Sequence, residues 1–458
     1  MEILAVPRVL ISGIRSEAGR SLFSLGLAHE LRRRGLSASC ALSGINLPLA
    51  ALLRRASGRF VRTLDHRLLS SGQILQALFG ASVGANLVMI AGRTGLLDGL
   101  RMGDLSGSDF ELARLTKTPA LLVVDARGFG QTLGALLQGV ASIEECNLAG
   151  VIFNRLHEAF HDKERFRKGF DLVGGPPILG SLPEIPDAPI LGSRSAYDKP
   201  VSLSLSFLVE LADLVAQNVD VDMLVQRATE VRAVRLADWQ HAPFGRRTRI
   251  AVSDDSCFSI VFQDNLELLR YYGAEIVPFS PLADAELPRD IGCVYMCGAY
   301  LAEYAWELAR NESMRRSLKE FVQQGGVLYS EGTGTVYLCR RFKLVGSNEF
   351  VPGLGLLPLV AHQSPNQVTI CESNLIEDCV LGTGNLMVRG MVLDHWRISE
   401  EGTITKVLRR AQSGSPAVQE GYSPSAQSLC TLAYNHFGSH ALLARNLVDA
   451  AEVVYKIS

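Results

Sequence analysis

The chain has 458 residues, 47% of them hydrophobic and 20% charged, with a net charge of −2. At roughly 100–200 residues per domain this length predicts two to four domains with buried cores. A near-neutral balance gives no electrostatic reason to expect nucleic acid or an acidic membrane surface as partner.

The first residues, M-E-I-L-A-V-P-R-V-L, carry no basic segment and no long apolar run. No stretch approaches a membrane span, so a soluble cytoplasmic protein without a membrane partner is expected. Residues 8–12 read as a strand and 20–34 as a helix. Apolar runs at 86–91, 119–125 and 148–153 and a shorter one at I-L-G-S-L-P read as further strands. Continuous Val/Ile/Leu runs between helical patterns predict a parallel sheet covered on both faces. A helical segment from about 203 to 233 closes this half. Residues 238–247 break the pattern and read as a linker. The alternation then restarts: strands at T-R-I-A-V-S, A-E-I-V-P-F and G-C-V-Y-M-C, and helices over 264–272 and 312–324. The predicted fold is α/β with two doubly wound domains, at 1–237 and 248–458.

Nine cysteines lie at irregular spacing, with no CxxC pair and no histidine cluster beside them. They read as buried free thiols of a reducing compartment rather than as metal ligands or a disulfide framework. The histidines form no H-x-H or H-x-x-x-H pair suited to a metal. His436 and His440 straddle F-G-S and read as structural.

Two loops have the outline of reactive sites. V-L-I-S-G-I-R-S-E-A-G-R-S-L at 9–22 sets small residues between a strand and a helix, where backbone N–H groups can cradle a phosphate. An ordinary phosphate loop ends G-K-[ST]; here Gly19-Arg20-Ser21 keeps the hydroxyl and exchanges lysine for the larger, planar arginine. V-L-Y-S-E-G-T-G-T-V-Y-L at 327–338 has the strand, tight turn and helix of a nucleophile elbow, yet its tip is Gly332.

Taken with I-S-G-I-R-S-E-A-G-R-S (11–21), A-G-R-T-G-L-L-D-G (91–99), L-V-V-D-A-R-G (122–128), N-L-A-G-V-I-F-N-R (147–155), Q-D-N-L-E-L-L (263–269), G-A-E-I-V-P-F-S-P-L (273–282) and N-E-S-M-R (311–315), the chain resembles the cobyrinic acid a,c-diamide synthase family over residues 7–445. The resemblance implies a dethiobiotin-synthetase-like P-loop domain followed by a class I glutamine amidotransferase-like, flavodoxin-like domain. It implies an ATP-dependent ligase that amidates tetrapyrrole carboxylates with glutamine-derived ammonia.

The departures from that pattern fall on the chemistry. The family's Y-A-E-C-G-G elbow is Tyr329-Ser330-Glu331-Gly332-Thr333-Gly334, without the cysteine. Cys339, seven residues on, is expected inside the following helix. A-S-Y-x-H-x-H-F is C-T-L-A-Y-N-H-F, with Tyr434 at the first histidine and His436 at the second. G-H-E-F-H-Y-S is Gly390-Met391-Val392-Leu393-Asp394-His395-Trp396, which reads as packing. In the ATP half, G-P-D-Y-I-D-P is Gly44-Ile45-Asn46-Leu47-Pro48, and the glutamate of E-G-x-x-G is Ala91. Gly13, Gly19, Arg20, Ser21 and Asn154 are the retained nucleotide-side positions. Ser21 and Asp98 are on the metal side, and Asp65 and Asp125 are further surviving carboxylates. The resemblance places Asn154-Arg155 at the adenine base.

Losses at Arg20, Asn46, Ala91, Gly332 and Tyr434 predict a member without glutaminase or amidoligase activity. Such a chain would bind a tetrapyrrole, a nucleotide or a protein partner, with Mg-ATP held weakly if at all. The partner could be an active paralogue or a second copy of the chain. The alternative is an ATP-dependent amidoligase that takes free ammonia to the tetrapyrrole carboxylates.

Overall fold

The computed structural model describes residues 2–130, 132–156, 168, 170, 172, 174–186, 188–189, 191, 194–197, 199–236, 244–364, 367–393, 396–412, 415–440 and 442–456. The chain divides into two compact units, Met1–Gly192 with Val201–Gln240, and Ser193–Pro200 with His241–Ser458. Of the linker expected at 238–247, residues 238–243 lie outside the described residues. The rest is tied into the second unit, Phe244 and Arg247 N–H donating to the Tyr271 and Gly273 carbonyls. No helix among the described residues is long and apolar enough to cross a membrane.

The first unit holds strands β1 (Glu2–Leu4), β2 (Arg8–Gly13), β3 (Ala38–Ser43), β4 (Arg62–Leu64), β5 (Leu87–Gly95), β6 (Ala120–Asp125), β7 (Leu148–Asn154), β8 (Ile178–Ser181) and β9 (Val234–Leu236). Strands β2 to β8 form one sheet in the order β4-β3-β5-β2-β6-β7-β8, parallel throughout. Every residue of β2, β3 and β6 is buried. That is why the runs at β2 and β6 read as apolar rather than alternating; β3 (A-S-C-A-L-S) is equally buried but built of small and polar residues, and the sequence pattern does not mark it. Helices α1 (Arg20–Arg33), α2 (Leu47–Ser57), α3 (Ser71–Ser82), α4 (Asp109–Thr116), α5 (Thr132–Ala141), α6 (Leu205–Asn218) and α7 (Val221–Thr229) cover the sheet. The helical segment expected over 203–233 is two helices followed by β9. Val219 and the cap residue Asp220, whose carboxylate accepts from Met223 N–H, break it. A Ser70–Gln73 capping box starts α3.

The second unit holds β10 (Thr248–Ser253), β11 (Phe258–Ile260), β12 (Ala274–Phe279), β13 (Cys293–Met296), β14 (Gly298–Ala299) and β15 (Val327–Glu331). Helices α8 (Gln263–Tyr271), α9 (Leu301–Arg310), α10 (Glu312–Gln323), α11 (Thr333–Leu338) and α12 (Leu442–Tyr455) pack with them. Its ten-stranded sheet begins β12-β10-β13-β15 and continues into Ser428–Thr431, all parallel. This is the 2-1-3-4-5 order of flavodoxin-like domains. Antiparallel strands extend the sheet to Ala433–Asn435 at its far edge. Cys339 does not lie in the elbow helix: α11 ends at Leu338, and Cys339 opens the strand Cys339–Lys343.

Arg8 shows how tightly the first unit is closed. It is fully buried, yet its guanidinium donates to the carbonyls of Thr116 (3.0 Å), Val6 (3.0 Å), Lys117 (3.4 Å) and Arg232 (2.6 Å). Burial lowers its pKa to about 10, so it stays charged at neutral pH and ties three chain segments together. Arg8→Met, which keeps the bulk and removes the donors, should cost about 3 kcal/mol by leaving those carbonyls unpaired. The cost would be read as a lower urea midpoint.

Candidate functional site

Strand β15 is wholly buried and ends at Glu331. The chain then turns through Gly332 at φ 54°, ψ −130° into α11. A side chain is strained at such a backbone position, and nucleophile elbows hold that strain to lift one reactive group clear. Here the space above the turn is occupied. A Cβ built on Gly332 would lie 2.0 Å from Tyr434 Cζ and 2.2 Å from its hydroxyl oxygen, and one on Gly298 would lie 2.3 Å from Tyr434 Cε1. The fully buried ring of Tyr434 therefore fills a slot that two glycines leave open.

The hydroxyl accepts a hydrogen bond from Thr333 N–H at 3.2 Å. This is the backbone donor after the elbow residue, the one that would face a developing oxyanion. Thr333 Oγ1 is spent on the Ala299 backbone, donating to its carbonyl at 2.5 Å and accepting from its N–H. Burial pushes the Tyr434 hydroxyl up to about 12, so at neutral pH it is a donor or acceptor and not a base. Cys339 does not replace the missing thiolate: it is buried and bonded to the Thr335 carbonyl at 3.6 Å, and burial raises its pKa.

Beneath the turn lies a buried carboxylate that sequence reasoning passed over. Glu331 accepts from the Tyr329 hydroxyl (2.5 Å), the Tyr295 hydroxyl (2.7 Å) and Asn435 N–H (3.0 Å). The side-chain amides of Asn435 and Asn265 donate to those two hydroxyls, so each hydroxyl proton points at Glu331. Burial nonetheless raises the Glu331 pKa to about 7. His436 is buried with Nε2 3.5 Å from an Asp264 oxygen and its ring edge-on to Phe262. Met391 and Val392 are core residues; Asp394 and His395 lie outside the described residues.

In the first unit the retained positions come together at the carboxyl ends of the parallel strands. Gly13 closes β2, Gly19 takes φ 96°, and Ser21 stands partly exposed on the first turn of α1. Arg20 does not point into the loop. Its guanidinium is buried and donates to the carbonyls of Thr94 and Arg93. It lies 3.8 Å from a buried carboxylate absent from every motif, Asp109. Asp109 accepts from Ser12 Oγ at 2.6 Å and from Arg93 N–H at 3.0 Å. Burial pushes it up, and these partners, Ser43 and the Arg20 charge draw it part of the way back. Asp109 stands at the start of α4, and only the topology brings it under the loop. The nearest sequence signal is Gly92, where a Cβ would lie 2.2 Å from the Asp109 carboxylate.

The other substituted positions have local duties. Asn46 caps α2, accepting from Leu49 N–H at 3.0 Å and donating to the Leu191 carbonyl at 3.2 Å. Ala91 is core on β5. Asp98 is exposed and closes its own turn on Gly95 N–H at 2.9 Å. Asp65 grips Arg67 through both oxygens; burial alone would raise it, but Arg67 holds it below the usual range.

Asn154 and Arg155 clamp the loop from its flank. The Asn154 amide donates to the Ala18 carbonyl at 2.9 Å, and Arg155 to that of Glu17 at 2.9 Å. Arg15, Arg127 and Arg155 converge on one oxygen of Asp125 at 2.6, 2.9 and 3.0 Å. Burial works against that charge, yet the guanidinium groups lower the carboxyl to about 2. Behind them a cavity of about 260 Å³ has a polar rim that includes Asn154 and Arg155 and apolar walls from α1 and α6. Its lining fits a flat ring with a polar edge.

A magnesium ion, implied by the resemblance, does not fit the residues present. Among the described residues no group of three His, Cys, Asp or Glu side chains is placed to hold a metal. The carboxylates nearest the loop already face guanidinium groups.

Residues 249–386 match the family model described as a CobB/CobQ-like glutamine amidotransferase domain. The cobyrinate a,c-diamide synthase of Syntrophotalea carbinolica is 33% identical over 459 residues, covering 97% of this chain and 99% of that protein. The protein of the same name from Methanosarcina acetivorans is 29% identical, covering 98% of this chain and 96% of its own. Among solved structures, PurLQS from Thermotoga maritima matches 46% of this chain and 99% of that one at 14% identity, with a TM-score of 0.33.

Two outcomes test this geometry. Gly332→Cys should destabilise the second unit by on the order of 3 kcal/mol through overpacking and strain. Adding Tyr434→His should recover part of the loss, so the double variant melts above the single one. Simple additivity would mean that the ring is not what excludes the side chain. For Glu331 the folded pKa of about 7 exceeds the ordinary glutamate value of 4.5. Its contribution to stability is therefore full below pH 4.5 and lost as pH rises through 7, amounting to about 3 kcal/mol. Melting temperature should fall over that window, and Glu331→Gln should flatten the fall.

Proposed function

The chain belongs to the cobyrinate a,c-diamide synthase family, and from that premise we propose that it has lost glutaminase and amidoligase activity and acts by binding. The observation that carries the reading is Tyr434 seated over Gly332 with its hydroxyl on Thr333 N–H. Release of ammonia from glutamine needs a nucleophile, a base to activate it and open donors for the oxyanion. The elbow lacks the first, carries a phenol in place of the second and has one backbone donor already occupied.

The synthetase half supports the same reading. Phosphoryl transfer depends on positioning and charge neutralisation around the transferred group. Arg20 is held by the chain's own carbonyls rather than reaching the loop mouth, and Asn46 is engaged as a helix cap. What the chain binds would then be a tetrapyrrole, a nucleotide or a protein partner such as an active paralogue or a second copy. A stable mixed complex on co-expression with an active family member would support the paralogue; separate elution of the two proteins would remove it.

One observation favours a second reading, an amidoligase fed by free ammonia. Ser21 remains partly exposed on the first turn of α1, beside a cavity suited to a flat ring. The two readings part in one assay. Purified chain is given cobyrinate, ATP and magnesium, with either glutamine or an ammonium salt. We expect no glutamate release and no amidated product above the protein-free background in either case. Ammonia-dependent amidation that disappears in Ser21→Ala would replace the binding reading with the ligase.

A further inference from the structure

We infer that the guanidinium groups of Arg20 and Arg93 take the place of a divalent cation at the phosphate-loop corner, so that this corner binds no metal and receives an anion uncomplexed. Three carboxylates act on these two guanidinium groups: Asp65 after β4, Asp98 in the turn after β5, and Asp109 at the start of α4. They are not placed to hold a metal together, but magnesium leans on only one or two carboxylates and retains its waters. Each carboxylate is already balanced. Asp65 is paired with Arg67 (2.5 Å) and faces Arg93. Asp109 lies 3.8 Å from Arg20, and Asp98 faces both Arg20 and Arg93. Burial lowers the pKa of Arg20 and Arg93, but an arginine keeps its charge near neutral pH, so a divalent ion entering here would meet the charges of Arg20, Arg67 and Arg93.

Arg93 is placed for this role. Its Cδ lies 2.6 Å from where a Cβ on Gly44 would stand, so its side chain crosses the loop leading into α2. That loop carries no carboxylate, and its polar residue Asn46 is spent on backbone partners. Arg93 gives Nη2 to the Gly107 carbonyl at 2.9 Å and is only partly buried. A guanidinium of this kind offers directed N–H donors to phosphate or carboxylate oxygens without an intervening metal. Gly44 and Arg93 are thus a matched pair: the glycine makes room for the arginine.

The inference deepens the proposed loss of ligase activity, but its test reads metal and anion binding and not turnover, so either can fail alone. Manganese is titrated into the full chain and followed by electron paramagnetic resonance. No bound ion is expected for the wild type. Arg93→Ala should bind manganese at least on the order of tenfold more tightly, because Asp65, Asp98 and Asp109 lose a cation. Arg93→Gln, which keeps a donor for Gly107, guards against a folding defect and should show the same gain. Wild-type binding that Asp109→Asn abolishes, or no gain in either variant, overturns the inference. Inorganic pyrophosphate, titrated calorimetrically, should bind as well in EDTA as with magnesium. A requirement for magnesium, or no binding in either buffer, overturns the claim of an anion site.

Discussion

The second unit is organised around one contact, the Tyr434 ring lying between Gly298 and Gly332 with its hydroxyl on Thr333 N–H. The turn beneath it keeps a backbone conformation that costs energy for any residue with a side chain. Gly332 relieves that cost, and the ring fills the volume that the glycine gives up. The result is a tightly packed version, with Thr333 N–H already bonded, of a turn whose usual purpose is to leave a group and two donors exposed. Glu331, one residue before, is anchored by tyrosine hydroxyls and the N–H of Asn435, the residue after Tyr434. Plug and support therefore belong to a single network across β13, β15 and the strand Ala433–Asn435.

The first unit reaches a comparable state by charge rather than volume. Where a nucleotide site holds unpaired positive donors and carboxylates awaiting a metal, this corner sets its own guanidinium groups against its own carboxylates. Arg20 turns back onto the carbonyls of Arg93 and Thr94, and Arg93 occupies the flank of Gly44. Asn154 and Arg155 brace the loop from the other side through the carbonyls of Ala18 and Glu17. The phosphate loop is thus tied by side chains of the same chain.

Much of this could be read from the sequence, and the limits have physical causes. Strands β2, β5, β6 and β7 show as apolar runs, while β3 (A-S-C-A-L-S) and the three-residue β4 do not; both loops show as small-residue turns between a strand and a helix. Gly332 and Tyr434 were each visible as departures from a family pattern, but not that one fills the space of the other. Contact between residues 102 positions apart is a property of sheet order, not of local pattern. Asp109 and Arg93 went unnoticed for a similar reason. Asp109 sits among ordinary helix-start residues, and Arg93 occupies a position at which the family pattern has no fixed residue. Cys339, seven residues past the turn, reads as helix from the sequence; the elbow helix stops at Leu338 because Cys339 enters a new strand.

The geometry also changes the weight of the sequence argument. Substitutions at Arg20, Asn46, Ala91, Gly332 and Tyr434 look like five separate losses, and five independent losses would be strong grounds for a lapsed enzyme. Gly332 and Tyr434 are not independent, since either change alone leaves a clash or a void. Arg20 belongs with Asp109 and Arg93, which together form one balanced cluster. Asn46 and Ala91 serve as a helix cap and a core residue, duties that say little about what once stood there. The case therefore rests on fewer but more constrained events: one steric, in the elbow, and one electrostatic, at the phosphate loop. Each is a set of mutually fitted residues. Local choices that agree with one another in this way hold each site in a single native arrangement.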